Sequence, residues 1–157
     1  MGCRVLEQKA MKVLVTGGSG FLGTALCRGL LAQGHKVSSF QRHYSTELEH
    51  LGVKQILGAL NDKSQVIEAL IGQDAVLHNA AKASGWGAWD DFYQTNVIGT
   101  QNIIDGCLQA GIQKLVYTST PSVVHQGRTT VAGGNEINTP YATDFSAFYP
   151  HTKKIAE

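Results

Sequence analysis

Residues 11–22 read MKVLVTGGSGFL, and this stretch decides the fold of the chain. The run 13–16 is apolar and rich in β-branched residues, which is typical of a buried strand. Gly17, Gly20 and Gly23 follow with the spacing G-x-x-G-x-x-G, and apolar residues then recur at helical spacing. The pattern predicts a strand, a tight turn and the first turn of a helix.

The glycine turn predicts a site for a dinucleotide. Glycine adopts positive φ at little cost and, without a Cβ, lets a pyrophosphate approach the backbone. The free N–H groups of the helix N-terminus then bind the phosphates. A purely structural turn is the alternative, but the strand before and the amphipathic helix after it favour cofactor binding. The cofactor-binding residues predicted here are Gly17, Gly20, Phe21, Leu22 and Gly23.

The composition limits the functional classes. A chain of 157 residues corresponds to about one domain, and its 18 glycines suit a fold with many tight turns. The formal net charge of +1 argues against nucleic acid or an anionic membrane as the main partner. No apolar stretch approaches the length of a membrane span, and no signal peptide is visible. We therefore expect a cytoplasmic protein without a membrane span.

The cysteines indicate neither a disulfide framework nor a metal site. Cys3, Cys27 and Cys107 are widely spaced, and no C-x-x-C pair occurs. Cys27 and Cys107 fall in helical patterns, where small core residues are expected. Because no Cys, His and carboxylate cluster is visible, we expect no bound metal.

Short strands alternate with helices along the chain. This order implies right-handed βαβ crossovers and a doubly wound parallel sheet of the Rossmann type, an α/β fold. Residues 41–50 are expected to be a polar loop, and 121–147 a functional loop without periodicity. The predicted strands are 35–40, 53–57, 74–78 and 114–118, and the predicted helices are 64–71, 90–110 and one that begins at 148.

The two ends of the sequence carry separate expectations. Residues 1–10 are expected to form a flexible N-terminal extension, with either Met1 or Met11 as the true start, and 11–157 the NAD(P)-binding domain. The helix that begins at 148 stops after barely two turns. We therefore expect a Rossmann fold cut short after its fifth strand, without the C-terminal strands and substrate-binding part. Residues 1–157 alone are then expected to bind cofactor poorly and to turn over little.

Five stretches together resemble the extended short-chain dehydrogenase/reductase family, and within it the 3β-hydroxysteroid dehydrogenases and their bacterial relatives. They occur in the order and at about the spacing of that family. The stretches are TGGSGFLG at 16–23, HNAA at 78–81, NVIGT at 96–100, YTSTPSVV at 117–124 and YPHTK at 149–153. The resemblance places Ala80 and Ala81 beside the cofactor.

The resemblance also implies the catalytic residues. Tyr149 becomes the general acid/base, Lys153 its electrostatic partner and a ligand of the cofactor ribose, and Thr120 the hydroxyl that holds the substrate oxygen, with Ser119 as second candidate. A free tyrosine titrates near pH 10, and a nearby ammonium stabilises the phenolate. Asn96 resembles the asparagine that shapes the site and relays protons, although it could also only kink its helix.

The end of the second strand decides the cofactor. An acidic residue there would bind the ribose 2′-hydroxyl of NAD. The sequence instead has Gln41 followed by Arg42 and His43, and a guanidinium suits a 2′-phosphate. We predict NADP, with NAD as the alternative if Arg42 is only a solvated loop cation.

Other positions depart from the pattern or carry weaker expectations. The family often has an aspartate after the glycine that ends the third strand, whereas here Ala59 follows Gly58, so the adenine contact is missing or comes from Asp62. His78 is expected to brace the backbone near the cofactor, and His125 to be structural, with contact to substrate as its alternative. For Trp86 and Trp89, a pocket wall and a loop anchor are equally open.

The function expected from these residues is an NADP-dependent interconversion of a ketone and a secondary alcohol. The resemblance implies an apolar keto or hydroxy compound, such as a long-chain β-keto acid reduced to its 3-hydroxy acid, and a homodimer for the full-length protein. An NAD-dependent sugar-nucleotide epimerase is the alternative. Pro121 and Ser122 stand where dehydratases have Asp-Glu. A non-catalytic NADP-binding regulator is the second alternative, although it would not need Tyr149, Lys153 and Thr120 together.

Overall fold

A computed structural model describes residues 9–125, 132–135 and 137–157. Cys3, most of the expected extension 1–10 and part of the segment 121–147 therefore lie outside the described residues. The strands are β1 (Lys12–Thr16), β2 (Lys36–Gln41), β3 (Lys54–Leu57), β4 (Ala75–His78) and β5 (Leu115–Tyr117). The helices are α1 (Phe21–Ala32), α2 (Thr46–His50), α3 (Lys63–Leu70), α4 (Trp89–Phe92), α5 (Gly99–Ala110) and α6 (Phe148–Ala156), with a π-helical segment at Tyr93–Ile98 and a 3₁₀ turn at Pro121–Val123.

The strands form one parallel sheet in the order β3-β2-β1-β4-β5. From β1 the chain builds outward to one side through β2 and β3, and then returns to add β4 and β5 on the other. The strand order thus reverses beside β1, and a crevice at this point is where open α/β sheets bind ligands. The predicted doubly wound Rossmann-type fold is confirmed.

The core has two parts, one on each face of the sheet. In β1, Leu14 packs into the cluster that includes residues of α3 and α5, while its neighbour Val15 packs into the cluster with residues of α1 and α2. This alternation is the strand period of two. Cys107 lies in the first cluster and Cys27 in the second, where burial raises the pKa of Cys27 to about 11. Both were predicted as core residues, and this is confirmed.

The prediction of a polar loop over 41–50 is wrong for the second half of this range, where Thr46–His50 form α2. The side chain of Ser45 caps this helix by accepting the N–H of Leu48 at 3.4 Å. Leu48 is fully buried in the core. One turn of helix with a single buried residue is too short to produce the periodicity that identified the other helices.

The expected continuous helix 90–110 is interrupted by the π-helical segment Tyr93–Ile98. A π turn adds one residue to a helical turn, which a 3.6-residue period does not reveal. Asn96 lies in this segment and is buried. In the described part of the chain, no helix has both the length and the apolar character needed to cross a bilayer.

Gly23 sits where α1 packs against the glycine turn. A Cβ there would meet the carbonyl oxygen of Gly17 and come within 2.7 Å of the Gly18 Cα. We expect Gly23→Ala to lower the free energy of unfolding by roughly 1–3 kcal/mol, as overpacking does. Gly29→Ala in the same helix is the matched control, because its Cβ would meet no atom within 4 Å.

The control should raise the free energy of unfolding by roughly 0.5–1 kcal/mol, since alanine favours helix more than glycine. Urea unfolding followed by circular dichroism measures both changes. Equal stabilities of the two variants would contradict the packing argument.

Candidate active site

A cavity of about 740 Å³ opens at the carboxyl edge of the sheet. Its walls come from the turn after β1, the end of β2, the loop after β3, the segment after β4 and the start of the α4 region. Of the residues predicted to bind cofactor, this cavity is lined by Gly17, Gly20, Gln41, Arg42, Ala80 and Ala81. Phe21, Leu22, Gly23, Asp62, Asn96, Thr120, Tyr149 and Lys153 are not among its lining residues.

The glycine turn has the backbone that a phosphate site requires. Gly17 has φ of 68°, and a Cβ there would lie 3.0 Å from the Cα of Ala80. The first bond of α1 runs from the N–H of Thr24 to the carbonyl of Gly20 at 2.8 Å, and no side chain caps the helix. The N–H groups of residues 21–23 therefore lie ahead of the helical hydrogen bonds. This end of the site fits a dinucleotide pyrophosphate.

The side chains of this first helical turn are not the groups that fit a phosphate. Phe21 is 100% exposed and Leu22 is 44% exposed, so only their amides are suited to a ligand. Gly23 packs against the turn instead. Backbone contacts of this kind are indifferent to side-chain identity, and the sequence indicates them only through the surrounding glycines.

Gly18 has a packing role that the G-x-x-G-x-x-G spacing does not indicate. A Cβ at this position would collide with the hydroxyl of Ser39 and lie 2.8 Å from its Cβ. The turn thus rests directly on β2, next to the strand end that carries Gln41. In the sequence, the pair of adjacent glycines at positions 17 and 18 is the feature that could have indicated this close packing.

The end of β2 carries an amide where a carboxylate would bind ribose. Gln41 is 6% exposed and lines the cavity, while Arg42 and His43 are exposed beside it. The ion pairs found in the described residues are Arg28–Glu47, Lys63–Asp105 and Lys82–Asp91. None of these pairs includes Arg42, which is exposed and lines the cavity.

Asp62, the residue that could supply the adenine contact if it is not missing, caps a helix in the structure. Its Oδ1 caps α3 by accepting the N–H groups of Ser64 at 3.0 Å and Gln65 at 3.1 Å, and the Ser64 hydroxyl at 2.6 Å. These bonds hold the pKa of the carboxyl below its usual value. The cavity wall here is residues 58–61. The carboxylate of Asp62 instead accepts the free N–H groups at the N-terminus of α3.

A chain of hydrogen bonds runs through His78 beneath the cavity. The Thr16 hydroxyl accepts the N–H groups of Asn79 at 3.1 Å and Ala80 at 3.0 Å. With both lone pairs used, it donates its proton to Nδ1 of His78 at 2.7 Å. Nε2–H of His78 then donates to the Thr100 hydroxyl at 3.0 Å. The neutral His78 ring therefore carries its proton on Nε2.

His78 is neutral in this environment. Burial lowers its pKa to about 3, and the charge of Lys153 acts in the same direction. The chain continues from Thr100, whose hydroxyl donates to the Asn96 carbonyl at 2.6 Å. His78 therefore connects the cofactor side of the sheet to the π-helical segment, in agreement with its expected bracing role.

Asn96 joins two parts of the site through its side-chain amide. Oδ1 accepts the N–H of Lys82 at 2.7 Å, and Nδ2 donates to the Lys82 carbonyl at 3.1 Å and to the Thr152 hydroxyl at 3.0 Å. Both amide protons are thus used. The side chain ties the segment after β4 to α6, an arrangement that favours the shaping of the site over proton relay by this group.

Lys153 is anchored at the end of β5. It is 2% exposed, and its Nζ donates to the Thr118 carbonyl at 2.6 Å and lies 3.9 Å from the Tyr117 ring centroid. Burial lowers its pKa to about 8, while the Glu157 carboxylate opposes this shift. Tyr149 is half-buried one turn earlier in α6. Helix geometry puts the two side chains on one face.

Thr120 caps the 3₁₀ turn against which α6 packs. Its hydroxyl donates to the Ser122 hydroxyl at 3.2 Å and accepts the Ser122 N–H at 3.3 Å. Ser119, the second candidate, is exposed, as is His125. The structure thus brings the elements that carry Thr120, Tyr149 and Lys153 together, and it adds Ser122 as a neighbour that the sequence argument missed.

The two tryptophans differ in their surroundings. Trp89 packs edge-on against Phe148 at 5.5 Å between ring centroids and also contacts His151 at 5.1 Å, so it anchors α6. Trp86 is 90% exposed. Within the ranges that the structure describes, no group of three or more His, Cys, Asp or Glu could hold a metal ion.

Comparison with known proteins connects this site to a family. The profile of the 3-beta hydroxysteroid dehydrogenase/isomerase family matches residues 14–157. A curated relative, the 2-alkyl-3-oxoalkanoate reductase of Stenotrophomonas maltophilia, is 54% identical over 147 residues. The alignment covers 94% of this chain and 44% of that protein. The chain therefore spans less than half the length of this relative.

Solved structures share the fold. A short-chain dehydrogenase/reductase superfamily protein from Agrobacterium tumefaciens with bound NAD has a TM-score of 0.81 and 29% identity, covering 92% of this chain and 42% of that one. The UDP-glucose 4-epimerase of Thermus thermophilus in complex with NAD has a TM-score of 0.77 and 29% identity, covering 93% and 48%. The predicted resemblance is confirmed.

The buried His78 makes a specific pH prediction. Its folded pKa of about 3 lies below the ordinary value of 6.5, so the unfolded state takes up a proton first as the pH falls. The neutral histidine therefore contributes stability above pH 6.5 that is lost on acidification toward its folded pKa. Between pH 6.5 and about pH 4.5 this loss amounts to roughly 2–3 kcal/mol.

His78→Gln removes this titration. We expect the stability advantage of the wild type over this variant to shrink by about 2 kcal/mol on acidification, measured by urea unfolding at a series of pH values. His50→Gln, at an exposed position in α2, is the control and should follow the wild type. Parallel pH profiles for wild type and His78→Gln would disprove the assignment of a neutral buried histidine.

Proposed function

We propose, from the premise that the chain belongs to the 3-beta hydroxysteroid dehydrogenase/isomerase family, that it carries the cofactor site and catalytic residues of an NADP-dependent oxidoreductase. The reaction interconverts a ketone and a secondary alcohol. The observation that carries this proposal is the position of Lys153, buried at the carboxyl edge of the sheet and one turn from Tyr149. A buried ammonium one helical turn from a tyrosine can support proton transfer by that tyrosine.

Tyr149, Lys153 and Thr120 have different roles in the proposed reaction. A bound nicotinamide dinucleotide supplies the hydride. The Tyr149 hydroxyl donates a proton to the substrate oxygen as the carbonyl is reduced, and Lys153 stabilises the phenolate that remains. With a pKa of about 8, Lys153 is charged at neutral pH. Thr120 donates a hydrogen bond to the same oxygen when its hydroxyl turns from Ser122, stabilising the charge that develops there.

The proposed substrate class is a β-keto acid with long alkyl chains. Hydride and proton together convert its 3-oxo group to a 3-hydroxy group. The 54% identical relative is named as a reductase of 2-alkyl-3-oxoalkanoates, and this supports the same class here. An assay that follows NADPH consumption with a 2-alkyl-3-oxoalkanoate tests the proposal, and absence of turnover by the full-length protein would contradict it.

The cofactor is proposed to be NADP(H). Gln41 and Arg42 at the end of β2 provide hydrogen-bond donors and a positive charge, while the cavity has no carboxylate at that strand end to repel a 2′-phosphate. The ribose 2′-hydroxyl of NAD would favour an acceptor instead.

A sugar-nucleotide epimerase remains the second candidate, because the Thermus thermophilus epimerase has the same fold at 29% identity. Its chemistry would use a retained NAD. Protein that carries bound NAD and converts a nucleotide sugar without consuming NADPH would favour the epimerase. Protein that consumes NADPH in proportion to ketone would favour the reductase.

Tyr149→Phe removes the proposed proton donor. We expect kcat for ketone reduction to fall by about 10²–10⁴-fold, the usual contribution of general acid catalysis. The dissociation constant of NADPH should stay within about twofold, because the lost hydroxyl serves the substrate oxygen. Steady-state kinetics and fluorescence titration measure the two effects.

Tyr44→Phe is the control for the loss of a phenolic hydroxyl in kcat alone, since Tyr44 follows the cavity-lining His43 but is itself 54% exposed and outside the cavity lining. Its kcat should equal that of the wild type. A Tyr149→Phe variant with undiminished kcat would assign the proton donor to another group.

Arg42→Gln tests the cofactor. We expect the dissociation constant of NADPH to rise by about 10–100-fold, which is the value of one hydrogen bond to a charged group, while that of NADH changes little. Arg28→Gln is the control, because Arg28 is paired with Glu47 outside the cavity. Binding of NADH by the wild type as tight as or tighter than that of NADPH would overturn the NADP proposal.

A further inference from the structure

Gln55 on β3 holds the segment that carries Arg42 and His43. Its Oε1 accepts the backbone N–H of Ser45 at 2.8 Å, and its Nε2 donates to the backbone carbonyl of Ser45 at 2.9 Å. The Gln55 amide thus bonds both the backbone N–H and the backbone carbonyl of Ser45, ten positions earlier. This pairing fastens the end of the 42–45 segment to the sheet, where residues 42 and 43 line the cavity mouth.

The same amide determines the orientation of Gln41. Because the Ser45 backbone dictates which end of Gln55 is oxygen, Oε1 of Gln55 can only accept from Gln41, whose Nε2 donates to it at 2.8 Å. Oε1 of Gln41 then faces away from Gln55, and it accepts the hydroxyl of Ser39 at 2.5 Å. Flipping Gln55 would break its bonds to the Ser45 backbone, and flipping Gln41 would bring the two amide oxygens together.

The consequence is a set of donors at the end of β2. The oxygen of Gln41 is turned toward Ser39 and accepts its hydroxyl, and Ser39 is buried under the glycine turn next to Gly18. Among the described residues, the second Nε2 proton of Gln41 has no hydrogen-bond partner, and the exposed Arg42 and His43 line the cavity beside it. A ribose 2′-hydroxyl is best held by an acceptor, whereas a 2′-phosphate offers only acceptors and needs donors.

We propose that Gln55 is a positioning residue for cofactor selectivity. Its hydrogen bonds align Gln41 and the segment 42–45 to accept a 2′-phosphate. This inference rests on the proposed NADP dependence of the same site. Gln55 is absent from the residues that line the cavity, so it acts through Gln41 and Ser45 and not by touching the cofactor. Selectivity for the phosphate thus depends on a residue of β3 as well as on the end of β2.

The test compares two probes that differ by one phosphate, adenosine 2′,5′-bisphosphate and adenosine 5′-monophosphate. Their dissociation constants are measured by isothermal titration calorimetry with the full-length protein, so that no turnover is needed. Gln55→Met keeps the approximate size of the side chain and removes every hydrogen bond. We expect the dissociation constant of the bisphosphate to rise about tenfold and that of the monophosphate to change less than about twofold.

Gln55→Glu gives a second measurement if the methionine variant unfolds. It keeps the oxygen acceptor but loses the donor to the Ser45 carbonyl and adds a negative charge, so the preference for the bisphosphate should fall at least as far. Gln109→Met, at an exposed position of α5, is the matched control and should bind both probes as the wild type does. Thermal unfolding of each variant identifies loss of fold.

The outcomes separate the two proposals. A wild type that prefers the bisphosphate and a folded Gln55 variant that keeps the whole preference would overturn the role of Gln55 alone. Equal weakening of both probes would also overturn it, because a merely structural effect does not distinguish them. A wild type without preference would overturn both this inference and the NADP proposal. A bisphosphate-selective protein without ketone reduction would contradict only the proposed reaction.

Discussion

The hydroxyl of Thr16 is the contact on which the site depends. It lies at the end of the central strand and accepts two backbone N–H groups that follow β4, so it ties the two central strands together at the edge where the strand order reverses. Its proton goes to His78, which holds α5 through Thr100. Buried polar groups must be satisfied, and here one hydroxyl satisfies three of them. The result is a rigid floor beneath the cavity.

The two ends of the site are built by different means. At the cofactor end, the backbone of the glycine turn and side-chain amides provide donors, and their geometry follows from close packing of the turn on β2. At the proposed catalytic end, Lys153 is buried against the end of β5, and Asn96 connects α6 to the segment after β4. The π-helical segment places Asn96 between them. The residues proposed for proton transfer and those proposed for cofactor selection thus lie at one edge of the sheet and are held by different side-chain hydrogen bonds.

Much of the fold could be predicted because its signals are local. The order of strands and helices, the position of the glycine turn and the burial of Cys27 and Cys107 follow from periodicity and spacing. The short helix α2 and the π turn could not be predicted in this way, since one turn of helix and one extra residue leave no repeat. Among the site residues, the sequence left the adenine contact either missing or supplied by Asp62, and spacing did not reveal that the Asp62 carboxylate caps α3.

By itself, the sequence determined the fold class, the family and the residue types at the site, since each depends on short motifs and on the order of elements. Only the tertiary structure decided which polar atoms remain available. In the sequence Gln41 is only a neutral residue at a strand end, yet in the structure its oxygen is turned toward Ser39 because Gln55 is oriented by the backbone of Ser45. This constraint joins two neighbouring strands through residues that are 14 positions apart. Hydrogen-bond direction is therefore a property of the packed sheet, and no spacing along the chain contains it.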